Sequence, residues 1–194
     1  MEQIGTVGTH WNIGTLSTVL MLSECKTEYF CVMVVDIPIL VTEVNKLYLS
    51  SKFDTDPFIL SKKNIFGIFL LNSLCKKKNL PINNNRIDLS KYDQELTVQI
   101  TERAFKNSGY CVPSKTLVDF NNMVRFMFLD EFHSYMDFHV TYNRSQIRQC
   151  IIDFMKKCNL HEDIIGIRTL EKDYERYRDR QNEILGQLFK KSIA

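Results

Sequence analysis

Residues 168–191, RTLEKDYERYRDRQNEILGQLFKK, are the most regular stretch of this sequence. Apolar side chains recur in it at steps of three and four residues, which places them along one side of a helix. The series, which begins one residue earlier, is Ile167, Leu170, Tyr174, Tyr177, Ile184 and Leu188, with Gln181 in its one polar position. The stretch therefore predicts a long amphipathic helix near the end of the chain.

The same spacing suits the seam of a coiled coil, in which alternate steps of three and four face a partner helix. The candidate contacts with a second copy of the chain or with another protein are Leu170, Tyr174, Tyr177, Ile184 and Leu188. The run covers only about three heptads, which is short for a coiled coil that stands alone. A helix docked on the core of its own domain is the simpler interpretation, because most amphipathic helices bury their apolar side in that way.

Charged side chains on this helix are as regular as the apolar ones. A basic stripe runs through Arg168, Lys172, Arg176 and Arg180, and an acidic stripe beside it runs through Glu171, Glu175, Asp179 and Glu183. Each base precedes an acid by three residues, and such a pair stabilises an exposed helix by about 0.2–0.5 kcal/mol. This pattern is typical of a solvated helix surface. It also argues against nucleic-acid binding, because the acidic stripe would face the phosphates as well. Thr169 is the predicted N-cap of the helix, just after Gly166.

A second basic amphipathic helix is expected just before this one, beginning near Asn143 or Ser145 and ending near Lys157. Two helices in succession loosely resemble a helix–turn–helix layout, although the intervening turn of about ten residues exceeds the roughly three or four of the strict motif. In a winged-helix or looser three-helix arrangement, the basic side chains would contact phosphates and a DNA groove. Those candidate contacts are Arg144, Arg148, Lys156, Lys157, Arg168, Lys172, Arg176 and Arg180.

The composition is that of an ordinary globular protein, with 194 residues, 44% of them apolar and 25% charged, and a net charge of +2. A charge this small does not by itself indicate a nucleic-acid or membrane partner. The bases are unevenly placed, however, with seven against one acid in residues 61–92 and eleven against eight acids in residues 144–194. These two segments would form a basic patch only if the fold brought them together.

The cysteines and the apolar segments indicate the cellular compartment of the protein. The six cysteines are scattered and none forms a CxxC pair, which is typical of small core residues in a reducing compartment. Residues 1–14 lack the basic and apolar regions of a signal peptide, and the apolar segments are shorter than the roughly 18–20 residues that span a bilayer. We therefore expect a cytoplasmic protein with no membrane partner. Alanine occurs only at Ala104 and Ala194, which suggests an AT-rich genome, as in many viruses, mobile elements and some bacteria.

Apolar periodicity predicts a mainly α, multi-helical fold. Besides the two helices already described, helices are expected from Pro38 to about Ser50, over Lys62–Lys78, and from Ser114 to about Phe138. A small β element in residues 15–40 would make the fold α+β, because strand-forming residues are frequent there. The alternation of Leu96–Ile100 is also typical of a strand.

Residues 79–92 are the predicted linker of the chain, since they contain a proline and three successive asparagines. They would separate an apolar N-terminal segment, 1–78, from a helical C-terminal region, 93–194. One continuous domain is the alternative, because a chain of this length fits either arrangement.

One group of side chains has the residue types of a catalytic or metal site. Asp130, His133 and Asp137 share one side of the helix that begins at Ser114, and His139 follows. Such a stripe could bind a divalent metal or position a histidine for acid–base catalysis. One helix supplies too few ligands, however, and no second helix offers a matching set. A histidine hydrogen-bonded to a nearby carboxylate is the simpler interpretation, so we predict no catalytic residue, no metal and no cofactor.

The basic helix pair makes a non-enzymatic, DNA-associated regulatory or accessory protein the leading hypothesis, with a homodimer as its expected form. The rival hypothesis is a protein-interaction or assembly component, of viral or other origin, that docks through the amphipathic C-terminal helix. A metal-dependent enzyme centred on His133 ranks third.

Overall fold

The computed structural model of the chain describes residues 34–53, 57–81, 87–142 and 146–193. This part contains six α-helices and one small three-stranded sheet, which confirms a mainly α fold with a small β element. The helices are α1 (Glu43–Lys52), α2 (Ile65–Ser73), α3 (Glu102–Ser108), α4 (Ser114–Met136), α5 (Ile147–Lys157) and α6 (Ile167–Ile193). The strands are β1 (Val34–Val41), β2 (Phe58–Ile59) and β3 (Gln94–Thr101).

The sheet has the strand order β1-β3-β2, so that β3 lies in the middle. Strand β1 pairs antiparallel with β3 over its whole length, and β2 runs parallel to β3. Leu96, Val98 and Ile100 are buried and alternate with more exposed residues, as a sheet with one buried face requires. The strand predicted over these residues is confirmed. The β element predicted in residues 15–40 overlaps β1, and its residues 15–33 lie outside the described part.

Strand β1 corrects the prediction of a helix that begins at Pro38. Pro38 lies within the strand, opposite Thr97 of β3. In the described sheet β1 is an edge strand, which tolerates proline because one side of its backbone forms no ladder hydrogen bonds. Helix α1 begins only at Glu43, after Thr42, whose hydroxyl accepts a hydrogen bond from the N–H of Asn45 at 3.3 Å.

Helix α2 is shorter than the predicted helix that ended at Lys78. The chain becomes extended at Cys75 and pairs there with Cys111 in an isolated antiparallel bridge. Gly109 makes this approach possible, because its φ is 97° and a Cβ at this position would collide with the carbonyl oxygen of Cys75. The three lysines after Cys75 therefore follow the helix and do not form its last turn.

Helix α4 is the centre of the core. Its buried residues follow the predicted spacing of three and four, and the helix contacts α1, α2, α5, α6 and β1. The least accessible of them are Phe120, Val124, Phe128, Phe132 and Met136. One hydrophobic cluster extends from the sheet through α4 to α6 and includes residues on both sides of the predicted linker, 79–92. The domain boundaries themselves stay a prediction.

The turn between α5 and α6 reverses the chain through a left-handed residue. Asn159 has a φ of 53°, a conformation that asparagine tolerates better than most residues. The next N–H, of Leu160, donates to the carbonyl of Met155 at 2.8 Å, which is the long hydrogen bond of a Schellman motif. Helix α6 then begins after Gly166, whose carbonyl accepts from the N–H of Thr169 at 2.9 Å. Thr169 thus lies inside the first turn of α6, and the prediction that it is the N-cap was wrong.

Candidate functional site

The first three turns of α6 fasten it to the body of the protein. Ile167, Leu170 and Tyr174 are buried in the core of their own chain, and Tyr177 is half-buried against the same cluster. Two of the predicted partner contacts, Leu170 and Tyr174, are therefore used within the domain. The surface left for a partner begins at Tyr177 and continues along the later turns.

A carboxylate at the end of α4 also holds α6 in place. Asp137 begins a π-helical stretch, Asp137–Tyr142, that continues α4. It accepts hydrogen bonds from the hydroxyls of Tyr174 at 3.1 Å and Tyr177 at 2.9 Å. Burial and the hydrogen bond to Asp137 raise the pKa of Tyr174 to about 12, and the same two causes raise the pKa of Tyr177. Both hydroxyls therefore remain donors at neutral pH.

His133 makes a second connection between α4 and α6. Its Nε2 lies 2.7 Å from Oδ2 of Asp173, and its ring stacks on that of Tyr177 with the centroids 4.1 Å apart. His133, which the sequence analysis considered as a metal ligand, thus connects α4 with α6. Among the residues that the structure describes, no three histidine, cysteine or acidic side chains are arranged to hold a metal ion.

The outward side of α6 carries a shallow basic groove, which is lined by Arg168, Thr169, Lys172 and Arg176 and has a volume of about 270 Å³. All four side chains are exposed. They stand on the side of the helix opposite the buried residues, so the docking of α6 on the core presents them to solvent. The fold thereby brings together three of the bases predicted to contact DNA.

The bases of the stripe do not form the ion pairs with the described acids that the sequence predicted. Within the described part of the chain, no carboxylate lies within 4.0 Å of any of the four bases in the stripe, so the expected pairs with the acidic stripe are not formed. Arg180 instead donates from Nε to the backbone carbonyl of Arg176 at 3.3 Å. The positive charges of the groove are therefore available to a ligand.

The bases predicted on or beside α5 have different surroundings. Arg148 and Lys156 are exposed, and neither lines the groove on α6. Nζ of Lys157 lies 3.2 Å from Oε1 of Glu131, so its charge is partly used within the protein. Arg144 lies outside the described residues. The groove on α6, and not the whole predicted set, is the candidate interface.

Glu131 on α4 receives hydrogen bonds from two other helices. Its donors are the hydroxyl of Tyr48 at 3.0 Å, Nζ of Lys52 at 2.6 Å and Nζ of Lys157 at 3.2 Å. Burial opposes ionisation of Glu131, but these three hydrogen bonds outweigh it and hold the pKa of the carboxyl below its ordinary value. Glu131 thus fixes α1 and α5 to α4, on which α6 also packs.

The later turns of α6 expose apolar side chains. Ile184 is 51% exposed, Leu185 50% and Leu188 58%, and every side chain described after Tyr177 is exposed. Ile184 and Leu188 belong to the predicted partner seam. Leu185 was missed because it departs from the alternation of three and four, although it lies on the same helix side, one turn after position 181.

Sequence reasoning also missed a cleft beside α6. It has a volume of about 300 Å³ and lies between α1, α4, residues 91–92 and the turn that precedes α6. Tyr92, Arg125 and Ile164 are among its lining residues. No local pattern predicts such a cleft, because its lining comes from segments that are far apart in the sequence.

Comparisons with known proteins were made at the level of families, characterised proteins and solved structures, and none of them gives a match. In the described part of the chain, no helix has the length and hydrophobicity needed to cross a membrane. What the chain does has to be inferred from the chemistry of its own surfaces.

Proposed function

We propose that this chain is a non-enzymatic, DNA-associated binding protein that acts inside the cell as a regulatory or accessory factor. The observation that supports it best is the groove in which Arg168, Lys172 and Arg176 stand together on the outward side of α6. Guanidinium and ammonium groups without protein partners bind phosphate through charge-assisted hydrogen bonds. An intracellular site of action agrees with the free cysteines Cys75, Cys111 and Cys158.

The spacing of the bases fits a DNA duplex. Arg168 and Arg176 are eight residues apart, which is a rise of about 12 Å along an α-helix. Because the major groove is also about 12 Å wide, the two guanidinium groups can reach phosphates of both strands. Lys172 and Thr169 then lie between them, towards the base edges. In this arrangement α6 crosses the major groove, whereas the second helix of a helix–turn–helix protein lies within it.

The acids beside the groove limit this binding. Glu175 and Asp179 are exposed on the neighbouring stripe of α6 and would repel phosphate. We therefore propose that the protein neutralises only a few phosphates and does not wrap the duplex. Each neutralised phosphate contributes about −0.9 to the slope of log affinity against log salt, so the three bases predict a slope of about −2.7.

This proposal is tested by comparing a charge-reversal variant within the groove with one at a distance from it. The groove variant combines Lys172→Glu with Arg176→Glu, and the control combines Arg103→Glu with Lys115→Glu, two exposed bases on α3 and α4. Fluorescence anisotropy with a mixed-sequence duplex should show a loss of about tenfold or more for the groove variant and about twofold or less for the control. Equal losses would indicate a response to net charge alone, and unchanged binding by the groove variant would overturn the proposal.

A second function, a protein-interaction or assembly component, is favoured by a different observation. Ile184, Leu185 and Leu188 form a contiguous exposed apolar surface on the later turns of α6. Such surfaces often mark sites of protein–protein contact. A second copy of the chain is one occupant of this surface, since the spacing of Ile184 and Leu188 suits a helix pair.

Self-association through this surface can be measured directly by light scattering. Ile184→Asp with Leu188→Asp should reduce the molar mass of an assembly that uses these residues. The control, Asn182→Asp with Gln187→Glu, changes exposed polar positions of the same turns by the same charge. A mass that is unaltered by the first pair of substitutions would count against a homodimer held by this surface.

A further inference from the structure

We propose that the cleft beside α6 binds a small organic anion, in which a carboxylate or phosphate group is attached to an aromatic or branched apolar part. The cleft holds about 300 Å³. At roughly 30 Å³ for each water molecule, this is room for on the order of ten waters or a ligand of similar size. A volume of this kind is at the lower end of the range for small-molecule sites.

The hydroxyl of Tyr92 is the first reason to expect a ligand. Tyr92 lines the cleft and is only 3% exposed. Its hydroxyl is buried and has no hydrogen-bond partner within the described part of the protein. A buried hydroxyl is nearly always paired in folded proteins, because leaving it unpaired is destabilising. Because the oxygen is itself buried, a polar group of a ligand in the cleft would pair with it by displacing part of the cleft wall.

The buried amides of the same cleft provide a contrast. Oδ1 of Asn121 accepts from the N–H of Thr42 at 3.1 Å and from Nδ2 of Asn45 at 2.9 Å. Nδ2 of Asn121 donates to two backbone carbonyls, both at 2.9 Å. This side of the cleft is therefore held by hydrogen bonds within the protein. The hydroxyl of Tyr92, by contrast, has no acceptor among the described residues.

The charges around the cleft favour an anion. Lys91 and Arg125 both line it and are exposed, and Nζ of Lys91 lies 4.9 Å from the centroid of the Tyr92 ring. Asp173 is the one carboxylate among the described lining residues, and its Oδ2 is already 2.7 Å from Nε2 of His133. The cleft is therefore lined by two bases and by one carboxylate that has its own partner, and either base can pair with an anionic group.

The remaining wall of the cleft is apolar and only partly covered. Leu129 of α4 and Ile164 and Ile165 of the turn before α6 line it and are half-buried. An apolar part of the ligand would complete their burial, which is favourable in proportion to the area removed from water. A free inorganic anion would leave this wall uncovered, so the lining indicates an organic anion.

The cleft also adjoins the basic groove. Thr169 lines both of them. A ligand in the cleft would therefore contact the helix that carries the proposed DNA surface. Binding in the cleft does not depend on DNA binding, however, so either proposal can fail while the other holds.

Methyl NMR of the full chain tests the site with three probes: phenylacetate, phenyl phosphate and the uncharged phenylacetamide. At least one of the two anions should shift the methyl signals of Leu129, Ile164 and Ile165 in a saturable manner, with a Kd on the order of 1 mM for a ligand of about ten atoms. Phenylacetamide should bind about tenfold or more weakly. The tighter of the two anions identifies the preferred anionic group. The exposed methyls of Ile184 and Leu188 serve as internal controls and should not shift.

Two substitutions complete the test. Arg125→Gln should weaken binding of the preferred anion about tenfold and Tyr92→Phe about threefold, whereas Arg103→Gln on α3 should leave it unchanged. Methyl signals away from the cleft report whether each variant keeps its fold. The proposal is overturned if neither anion gives saturable shifts at the three methyls, if phenylacetamide binds as well as the preferred anion, or if Arg125→Gln binds like the wild type.

Discussion

The two halves of helix α6 have the same apolar spacing and opposite surroundings. In residues 167–177, Leu170 and Tyr174 are each 1% exposed, whereas in residues 178–188 Ile184 is 51% and Leu188 58% exposed. The polar contacts follow the same division. Side chains of the first half bond to Asp137 and His133 of the body, but the second half is held by contacts within the helix, such as that between Gln187 and Glu183 at 3.5 Å.

The difference shows what apolar periodicity can and cannot report. It gives the side of a helix that is apolar, but not how far the rest of the protein extends along that side. The part of α6 that follows Tyr177 runs to Ile193 and has 16 residues, little more than the length of about 12–15 residues below which even an alanine-rich isolated helix is marginal in water. The second half of α6 therefore depends on the first half, which is fixed to the core, to keep its helical form.

The largest expected effect on stability is seen when a leucine is replaced by alanine in the first half, and the same substitution in the second half is its control. Leu170→Ala removes a core side chain and should lower the free energy of unfolding by about 2–5 kcal/mol. Leu188→Ala removes an exposed side chain and should change it by about 0.5 kcal/mol or less. Urea unfolding followed by circular dichroism compares the two. Similar losses from both would mean that the second half also packs on the body.

A smaller effect is expected from the hydrogen bonds that only the first half makes. Tyr174→Phe keeps the ring but removes the hydroxyl that bonds to Asp137, and should lower the free energy of unfolding by about 1.5 kcal/mol. Tyr177→Phe removes a similar bond from a half-buried ring and should have a smaller effect. Denaturant midpoints at neutral pH measure both variants, and the reverse order would contradict this account of the anchor.

The same hydroxyl makes stability depend on alkaline pH. The folded-state pKa of Tyr174, about 12, lies above the ordinary value of 10.0. Its contribution is therefore complete below pH 10 and is lost as the pH rises through about 12. The wild type should lose more stability over this interval than Tyr174→Phe does, and parallel curves would argue against the raised pKa.

A further effect concerns the body on which the first half rests. The folded-state pKa of Glu131 is lowered, so its contribution to stability is present above its ordinary pKa of 4.5 and is lost as the pH falls through the lower folded-state pKa. Glu131→Gln should flatten the acid side of the stability–pH curve. Glu183→Gln, an exposed change on the second half, should leave the curve unchanged. Thermal unfolding between pH 7 and pH 3 would distinguish the two variants.

The smallest expected effect is a local gain in the second half. Gly186 lies in this half, and among the described residues a Cβ added there would meet no atom within 4 Å beyond the backbone of its own helix. Alanine favours a helix over glycine by about 1 kcal/mol, so Gly186→Ala should slow amide exchange in residues 184–188 by up to about fivefold. The global denaturant midpoint should barely move, because the end of the helix opens separately from the core. A large shift of that midpoint would contradict the division of α6 into two halves.

The sequence predicted α4 and α5 well because burial in a helix repeats every three or four residues. Phe120, Val124 and Phe128 of α4 follow this rule and are buried. Pro38 was assigned wrongly, since proline is equally acceptable in the first turn of a helix and in an edge strand. Pairing with β3, which lies far along the chain, decides between the two, and no local pattern contains that information.

The candidate site was predictable only in part. Helical spacing correctly placed Arg168, Lys172 and Arg176 on one exposed stripe. The absence of ion pairs with the described acids was not predictable, because pairs of exposed long side chains are worth only about 0.2–0.5 kcal/mol. The cleft was missed altogether, since Tyr92 and Arg125 come together only through the tertiary packing of distant segments.

The central claim, that the groove on α6 binds duplex DNA through its phosphates, is tested most directly by measuring duplex affinity across a range of salt concentrations. For the wild type we predict a slope of log affinity against log salt of about −2.7, from three neutralised phosphates. Lys172→Glu with Arg176→Glu should bring the slope to about −0.9 or weaker. The claim would be contradicted by a wild-type slope near zero, or by a slope that the groove variant leaves unchanged.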